Sequence, residues 1–352
     1  MTRFRHALVI GKFYPPHAGH HFLIRSAADA AEQVTVVVMA ADDETIPLAD
    51  RVGWIREVWQ GEPHVRVAGT VDNIPVDYED PEIWDGHVAL MRAALRPGET
   101  VDAVFSSEDY GVELARRFAA APVVLDVDRA TFPVSGTKVR ADPAGHWADL
   151  EPAVRAGLAR RVVVVGAEST GTTTLSRDLA AALRGRGGVH ALTGWVAEYG
   201  RELTAAKLAV ARAHAAPAGR PAPTVDELDW DERDFALVRR RQAEAEERAA
   251  RGGGPVLVCD TDLLATAVWE ERYLGRTAPE TWAAAAAQPP RALYVLTSDQ
   301  GVPFEDDGLR DGEHLRGWMT GRFREVLAAS GQPWIEVSGD RAARVAAVLA
   351  AL

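Results

Sequence analysis

The chain has 352 residues, 47% of them hydrophobic and 26% charged, which leaves room for about two domains of roughly 150 residues and excludes a disordered chain. A formal net charge of -12 and a pI near 5.4 argue against a broad nucleic-acid footprint or an anionic membrane surface, so any phosphate ligand must be met locally. The single cysteine, Cys259, excludes an intrachain disulfide and reads as a small core residue in a reducing cytoplasm, while no apolar run reaches the roughly 18 residues of a membrane span and the N-terminus is too short in apolar residues for a signal peptide.

Apolar runs alternate with amphipathic stretches along the whole chain, the pattern of parallel α/β sheets. In the first half, strands are expected over His6–Ile10, Val34–Ala40, Val65–Ala68, Val101–Ser106 and Val123–Val127. Helical spacing places helices at about His20–Glu32, Ala49–Gln60, Trp84–Leu95 and Tyr110–Ala119, with a further helix-like stretch over His146–Leu158. A new strand-to-loop start at Val162–Gly166 puts a domain boundary near 157, giving one doubly wound domain over 1–157 and a second over 158–352. In the second half, strands are expected over Val256–Cys259, Ala292–Leu296 and Trp334–Val337, and helices over Thr173–Arg184, Val225–Ala250 and Thr320–Ala329. Thr224 and Glu227 have capping-box spacing for the long helix, and the Pro/Ala/Gly-rich AHAAPAGRPAP before it reads as a loop. The composition is compatible with a monomer or a homo-oligomer.

Three segments carry chemistry. GKFYPPHAGH, residues 11–20, follows the first apolar strand and opens a helix. Gly11 and Phe13 flank Lys12 at the strand end, Gly19 lets backbone approach a ligand, and free N–H groups at the helix start favour an anion. His17 and His20, spaced as HxGH, can each donate to phosphate oxygen, and Lys12 adds a full charge. About 120 residues later, TFPVSGTKVR sets Ser135, Thr137, Lys138 and Arg140 around another helix start, where hydroxyls can cradle a triphosphate and the cations can stabilise a departing pyrophosphate. Only three of the 39 basic residues are lysines, and two of them, Lys12 and Lys138, fall in these two segments. The third segment, Gly166–Thr173, follows the VVVV strand with the spacing of a phosphate-binding GxxxxGK(S/T) loop, formed by Gly166, Ser169, Thr170, Gly171, Thr172 and Thr173, with Thr174 next in line. Thr172 occupies the lysine position, so nucleotide binding is retained on glycines and backbone while phosphoryl transfer lacks its usual cation. Thr173 is placed to ligate Mg²⁺. At the end of the strand PVLVC, Asp260 can hold Mg²⁺ or accept a proton from an alcohol; Asp262 reads either as a substrate contact or as a helix N-cap.

HAGH after a first strand, with SGTKVR near the end of the same domain, resembles the HxGH and (S/T)xxxR pair of the nucleotidyltransferase superfamily. The intervening IPVDYEDPEIW and FSSEDYG, with EYGREL and DDGLRD in the second half, are similar to the NadR family over nearly the whole chain. That resemblance implies an adenylyltransferase that joins ATP and nicotinamide mononucleotide into NAD and pyrophosphate with Mg²⁺, followed by a P-loop ribosylnicotinamide kinase domain that makes the mononucleotide from nicotinamide riboside and ATP. It assigns triphosphate binding to His17 and His20, closure on it to Ser135, Thr137 and Arg140, and the nicotinamide ring to Trp84, a large aromatic that also suits a core. In the second half it assigns substrate and lid roles to Glu198, Tyr199, Arg201, Asp307 and Arg310, with Arg310, Arg201 and Arg316 as candidates to replace the charge missing at Thr172. The first expected strand begins by residue 6, so no N-terminal helix-turn-helix and no operator binding are expected. Two alternatives remain beside this reading: an adenylyltransferase for another phosphorylated acceptor such as nicotinate mononucleotide or phosphopantetheine, and a C-terminal half that senses nucleotide without catalysis.

Overall fold

The computed structural model describes residues 4–77 and 79–352; Tyr78, within the IPVDYEDPEIW segment, lies outside them. The chain divides into two compact units, 1–157 and 158–352. In the first, β1 (Phe4–Gly11), α1 (Ala18–Ala30), β2 (Ala31–Ala40), α2 (Leu48–Val58), β3 (Val65–Val71), α3 (Pro81–Ala93), β4 (Ala103–Ser106), α4 (Tyr110–Phe118) and β5 (Ala121–Val124) alternate regularly. Two short helices follow, α5 (Gly136–Ala141) and α6 (Pro152–Leu158). The strands form a parallel sheet in the order β3-β2-β1-β4-β5. Successive residues of β1 feed opposite cores: Ala7 and Val9 pack with Val36 and Ile24 on one face, Leu8 and Ile10 with Val37 and Leu114 on the other. A strand buried on both faces must be apolar throughout, which is why runs such as Ala7–Ile10 read as strands before any geometry is known. The strand order reverses between β1 and β4, and in such sheets the crevice beyond the strand ends at the reversal is where ligands sit.

The second unit contains β6 (Arg160–Gly166), α7 (Thr172–Arg184), β7 (Gly194–Val196), α8 (Tyr199–Ala215), α9 (Glu232–Gly252), β8 (Val256–Asp260), α10 (Leu263–Leu274) and α11 (Pro279–Ala286). It closes with β9 (Leu293–Thr297), α12 (Arg316–Ser330), β10 (Trp334–Val337) and α13 (Arg341–Ala351). Its sheet is also parallel, ordered β10-β9-β6-β8-β7, with Val162, Val164, Val258 and Val295 packed against Leu175 and Leu179 of α7.

Several expected elements differ from those observed. The Thr224/Glu227 capping box forms, but it opens only a single 3-10 turn, Val225–Glu227; α9 starts at Glu232 under its own box, in which Asp231 accepts from Arg233 N at 2.8 Å and Asp234 N at 3.1 Å. The stretch expected as one helix over 146–158 breaks into a 3-10 turn, Trp147–Asp149, and α6, with Leu150 extended between them, because Pro152 has no N–H to continue a helix through it. AHAAPAGRPAP is helical as far as Ala215, where α8 gives way to a 3-10 turn at Pro217. The short strand β7 and helices α8, α10 and α13 go beyond the expected set. No helix among the described residues is long and apolar enough to cross a membrane.

Candidate functional site

The first unit holds a cavity of about 580 Å³ at the strand-order reversal. β1 ends at Gly11, and the chain turns through Phe13, whose φ of 46° lies in the left-handed region and whose ring is buried against His20 at 4.8 Å. α1 begins at Ala18 with His17 as N-cap, two residues before the expected start, so His17 stands outside the helix and His20 one turn inside it. Their rings lie 3.7 Å apart, and the Nδ1 atom of each is buried with no protein partner. Burial pushes His17 down to about 4 and His20 well below the ordinary histidine value, with each further disfavoured as a cation by its histidine neighbours. The pair therefore presents neutral imidazoles to the cavity, and permanent charge must come from elsewhere. Gly19 packs beside the His17 ring, where a Cβ would sit 3.3 Å from ring atoms.

SGTKVR meets this turn directly. Ser135 caps α5 by accepting from Lys138 N at 3.2 Å, and the Arg140 guanidinium donates to Tyr14 O and lies 4.2 Å over the Tyr14 ring. Arg51, fully buried, covers the same ring at 4.2 Å, so the tyrosine of the first motif is sandwiched between two guanidinium groups. A side chain at Gly136 would place its Cβ 2.5 Å from Tyr14 O, so only glycine allows the close approach. Ser135, Thr137 and Arg140 line the cavity with His17, His20 and Lys12. Lys12 bonds Glu44 at 2.9 Å. Lys138, expected at the phosphates, does not line the cavity: its ammonium donates to Pro133 O at 3.0 Å, because the first turn of so short a helix points it back along the preceding loop.

Trp84 stands in the first turn of α3, buried in the core, as one of its readings expected, and also lines the cavity. Asp80 fixes that turn by accepting from Glu82 N at 2.8 Å. Beside it lies a pair that sequence reading missed, His87 Nδ1 to Asp72 Oδ2 at 2.6 Å. Arg129 and Glu44 also face the cavity without having been singled out, since neither belongs to a recognisable motif.

In the second unit, Gly166 ends β6 and the loop closes on α7 through Gly171 at φ 88°. A Cβ at Gly166 would meet Thr297 Oγ1 at 2.2 Å. Gly166, Ser169, Thr172 and Thr173 line a smaller cavity of about 90 Å³ with Glu198, Arg201 and Arg310. Thr173 Oγ1 donates to Asp260 Oδ2 at 2.6 Å, while the other Asp260 oxygen is buried without a partner. Burial raises Asp260 to about 6, against the opposing effect of its hydroxyl partners Thr173 and Thr172; burial and the nearby Asp260 charge raise Glu198 to about 8. Arg310 donates to Ser169 Oγ at 3.2 Å, and Arg201 pairs with Asp307. Trp230, Phe235, Trp269 and Tyr273 supply an aromatic wall that sequence reading missed, and the indole N–H groups of Trp230 and Trp269 are buried without partners.

Other expected contacts are not at this cavity. Asp262 is wholly buried and saturated: one oxygen caps α10 by accepting from Leu264 N and Ala265 N, the other accepts from Arg291 Nε at 3.1 Å and Tyr294 OH at 2.6 Å. Thr170 bonds Ala167 O and Thr297 inside the loop, and its carbonyl accepts from Arg344. Thr174 is exposed on the first turn of α7, Tyr199 N donates to Gln242, and Asp307 faces Arg201 and Leu309 N rather than the cavity. Asp260 itself lies behind Thr173.

Two parallel α/β units, each with a glycine-bearing strand-to-helix turn at a cavity, define a nucleotide-binding protein. An AAA domain family model matches residues 161–344, just over half of the chain. Two curated relatives, each the trifunctional NAD biosynthesis/regulator protein NadR, come from Escherichia coli (strain K12) and Salmonella typhimurium (strain LT2). Each is 24% identical over 86% of this chain and 71% of its own length. A solved NadR protein in complex with NR superposes with a TM-score of 0.70 at 21% identity, covering 99% of this chain and 96% of that one. A second, in complex with NAD and AMP-PNP, gives 0.69 at 22% identity, covering 99% and 95%. These two agree with the fold across both units. The chain belongs to the AAA domain family through its second unit, and over most of its length it is similar to the two NadR proteins.

Proposed function

We propose that the first unit transfers the adenylyl group of ATP to nicotinamide mononucleotide, giving NAD and pyrophosphate, and that the second unit phosphorylates nicotinamide riboside with ATP to make that mononucleotide. One observation carries the adenylyl-transfer reading: two motifs far apart in sequence converge through the Arg140 to Tyr14 bond on one 580 Å³ cavity that a buried tryptophan also lines. A phosphate oxygen of the mononucleotide attacks the α-phosphorus, the bond from that phosphorus to the bridging oxygen breaks, and pyrophosphate leaves. The nucleophile is already an anion, so rate must come from alignment and charge neutralisation. Neutral His17 and His20 serve as hydrogen-bonding groups for phosphate oxygen, Ser135 and Thr137 supply hydroxyls, and Arg140 and Lys12 supply charge, the latter by leaving Glu44. Trp84 offers its face to the nicotinamide ring.

In the second unit, the aromatic wall suits a flat pyridinium, and the orphaned indole donors suit its polar substituents or the ribose. Thr173 Oγ1 and the unpartnered oxygen of Asp260 form a hard-oxygen donor set that fits Mg²⁺ together with phosphate oxygens and water. An ion held by these two residues would supply neutralisation of phosphate charge. Glu198, which lines the cavity and is held protonated near neutrality, donates to the substrate; the ribose hydroxyl oxygen bonds to the γ-phosphorus as ADP departs, its proton passing to the transferred phosphate or to water, while Asp260, behind Thr173, holds the Thr173 hydroxyl and the ion. Thr172 favours a second reading, in which this unit binds nucleotide without transferring phosphate. The test supplies Mg-ATP with the mononucleotide and with the riboside in separate reactions. NAD and pyrophosphate from the first support the adenylyltransferase, and Arg140→Ala should abolish most of that rate; no mononucleotide or ADP from the second favours the sensor.

A further inference from the structure

Arg272, in the last turn of α10, has no place in the chemistry above, yet it contacts three residues that line the second cavity, Glu168, Trp269 and Tyr273. Its side chain is 2% exposed. Nη1 donates to Glu168 Oε1 of the phosphate loop at 2.8 Å, and Nη2 donates to Asp311 of the DDGLRD segment. The second Glu168 oxygen accepts from Gly312 N at 2.7 Å, and Tyr273 OH donates to Asp311 at 3.3 Å. The same guanidinium lies 4.6 Å over the Tyr273 ring and 5.1 Å from the Trp269 ring, two members of the aromatic wall. A Cβ at Gly312 would fall 2.4 Å from Arg272 Nη2 and 2.7 Å from Glu168 Oε2, so any larger residue at 312 must displace the two side chains that hold the strap.

We propose that Arg272 is a positioning residue that latches the Asp306–Gly312 strap onto the phosphate loop and couples that latch to the aromatic wall. A planar, five-donor group can bridge two carboxylates while stacking on rings; an ammonium cannot do all three. A ring ligand entering beside Trp269 and Tyr273 packs against the surface on which Arg272 rests and tightens the strap over the phosphates. The last step rests on the kinase reading of this unit; the latch itself does not.

The experiment uses the full chain and its Arg272→Lys variant, which keeps the charge, with Gly312→Ala as a second, independent break of the strap. Hydrogen exchange at the residue-312 amide, whose only partner shown is Glu168, should accelerate at least tenfold in both variants relative to the intrinsic rate of the residue present there, while amides of β8 keep their parent rates. Unchanged exchange at Gly312, or equal acceleration in β8, would overturn the latch. Nicotinamide riboside should slow Gly312 exchange further in the parent and leave it unaltered in Arg272→Lys; equal slowing in both would overturn the coupling. In steady state with Mg-ATP, Arg272→Lys should lose at least tenfold in kcat with less than a threefold change in KM for the riboside, a split that general loosening of the fold would not give. If the parent neither binds nor phosphorylates the riboside, the kinase reading and the coupling fall together, and Gly312 exchange in the free protein still decides the latch.

Discussion

Replacing Thr172 by lysine puts to work the one departure from the phosphate-loop pattern. The Thr172 hydroxyl is a hydrogen-bonding neighbour of Asp260, so the substituted side chain starts next to a carboxylate that burial has raised to about 6. An ammonium about 4 Å from that carboxylate interacts by roughly 4 kcal/mol at an effective dielectric of about 20. Solvent at the loop mouth cuts this to about 2 kcal/mol, equivalent to roughly one and a half pH units. If Asp260 must be ionised to hold Mg²⁺ for phosphoryl transfer, its proton competes with the ion, and the parent rate rises with pH along a limb that lies no higher than about 6. In Thr172→Lys that acidic limb should move down toward the ordinary carboxylate range, and the plateau rate should rise at least tenfold because the β- and γ-phosphates gain a cation. The assay is ADP release from Mg-ATP and nicotinamide riboside between pH 5 and 8, with mononucleotide identified as product. A plateau increase with an unmoved limb would refute the role given to Asp260. A moved limb without an increase would refute the idea that charge is what the loop lacks.

Three further outcomes follow from single contacts. His17 and His21 are both pushed down to about 4 by burial, below the ordinary 6.5, so the unfolded chain binds more protons between those values. Stability should be full above pH 6.5 and fall as pH drops toward 4, by up to about 1.4 kcal/mol per pH unit for each histidine; calorimetry showing no loss between pH 6.5 and 5 would contradict this. Gly136→Ala must displace the SGTKVR turn from Tyr14 O and should lower adenylyl transfer by about 10²-fold with little change in melting temperature. Asp262→Ala leaves the buried Arg291 short of a counter-charge and should cost about 3–5 kcal/mol in urea unfolding. An Asp262 variant that folds normally and only loses activity would restore its reading as a substrate contact.

The alternation of strands and helices was legible because each central strand is buried on both faces and so is apolar throughout, as in Ala7–Ile10 and Val162–Val165. The two cavities were legible where backbone geometry restricts residue choice, at Gly19, Gly136 and Gly166, and where histidine spacing matches one helical turn. Side-chain direction was not. Lys138 and Asp262 stand in the right segments, yet one folds back on Pro133 O and the other is consumed by four donors, outcomes that depend on partners distant in sequence. The aromatic wall was hidden for a similar reason. Trp269 and Tyr273 share one face of α10 at a spacing of four, but Trp230 joins them from the turn before α9, which the misplaced start of that helix had absorbed into its interior.

Transfer of the α-phosphorus itself tests the central claim most directly. With ATP labelled at the α-phosphate, Mg²⁺ and unlabelled nicotinamide mononucleotide, the label should appear in NAD, with pyrophosphate formed in equal amount and unlabelled. The His17→Asn, His20→Asn double variant, folded as the parent, should lose most of that transfer. Label confined to ATP, ADP or AMP with every pyridine mononucleotide offered would contradict the account.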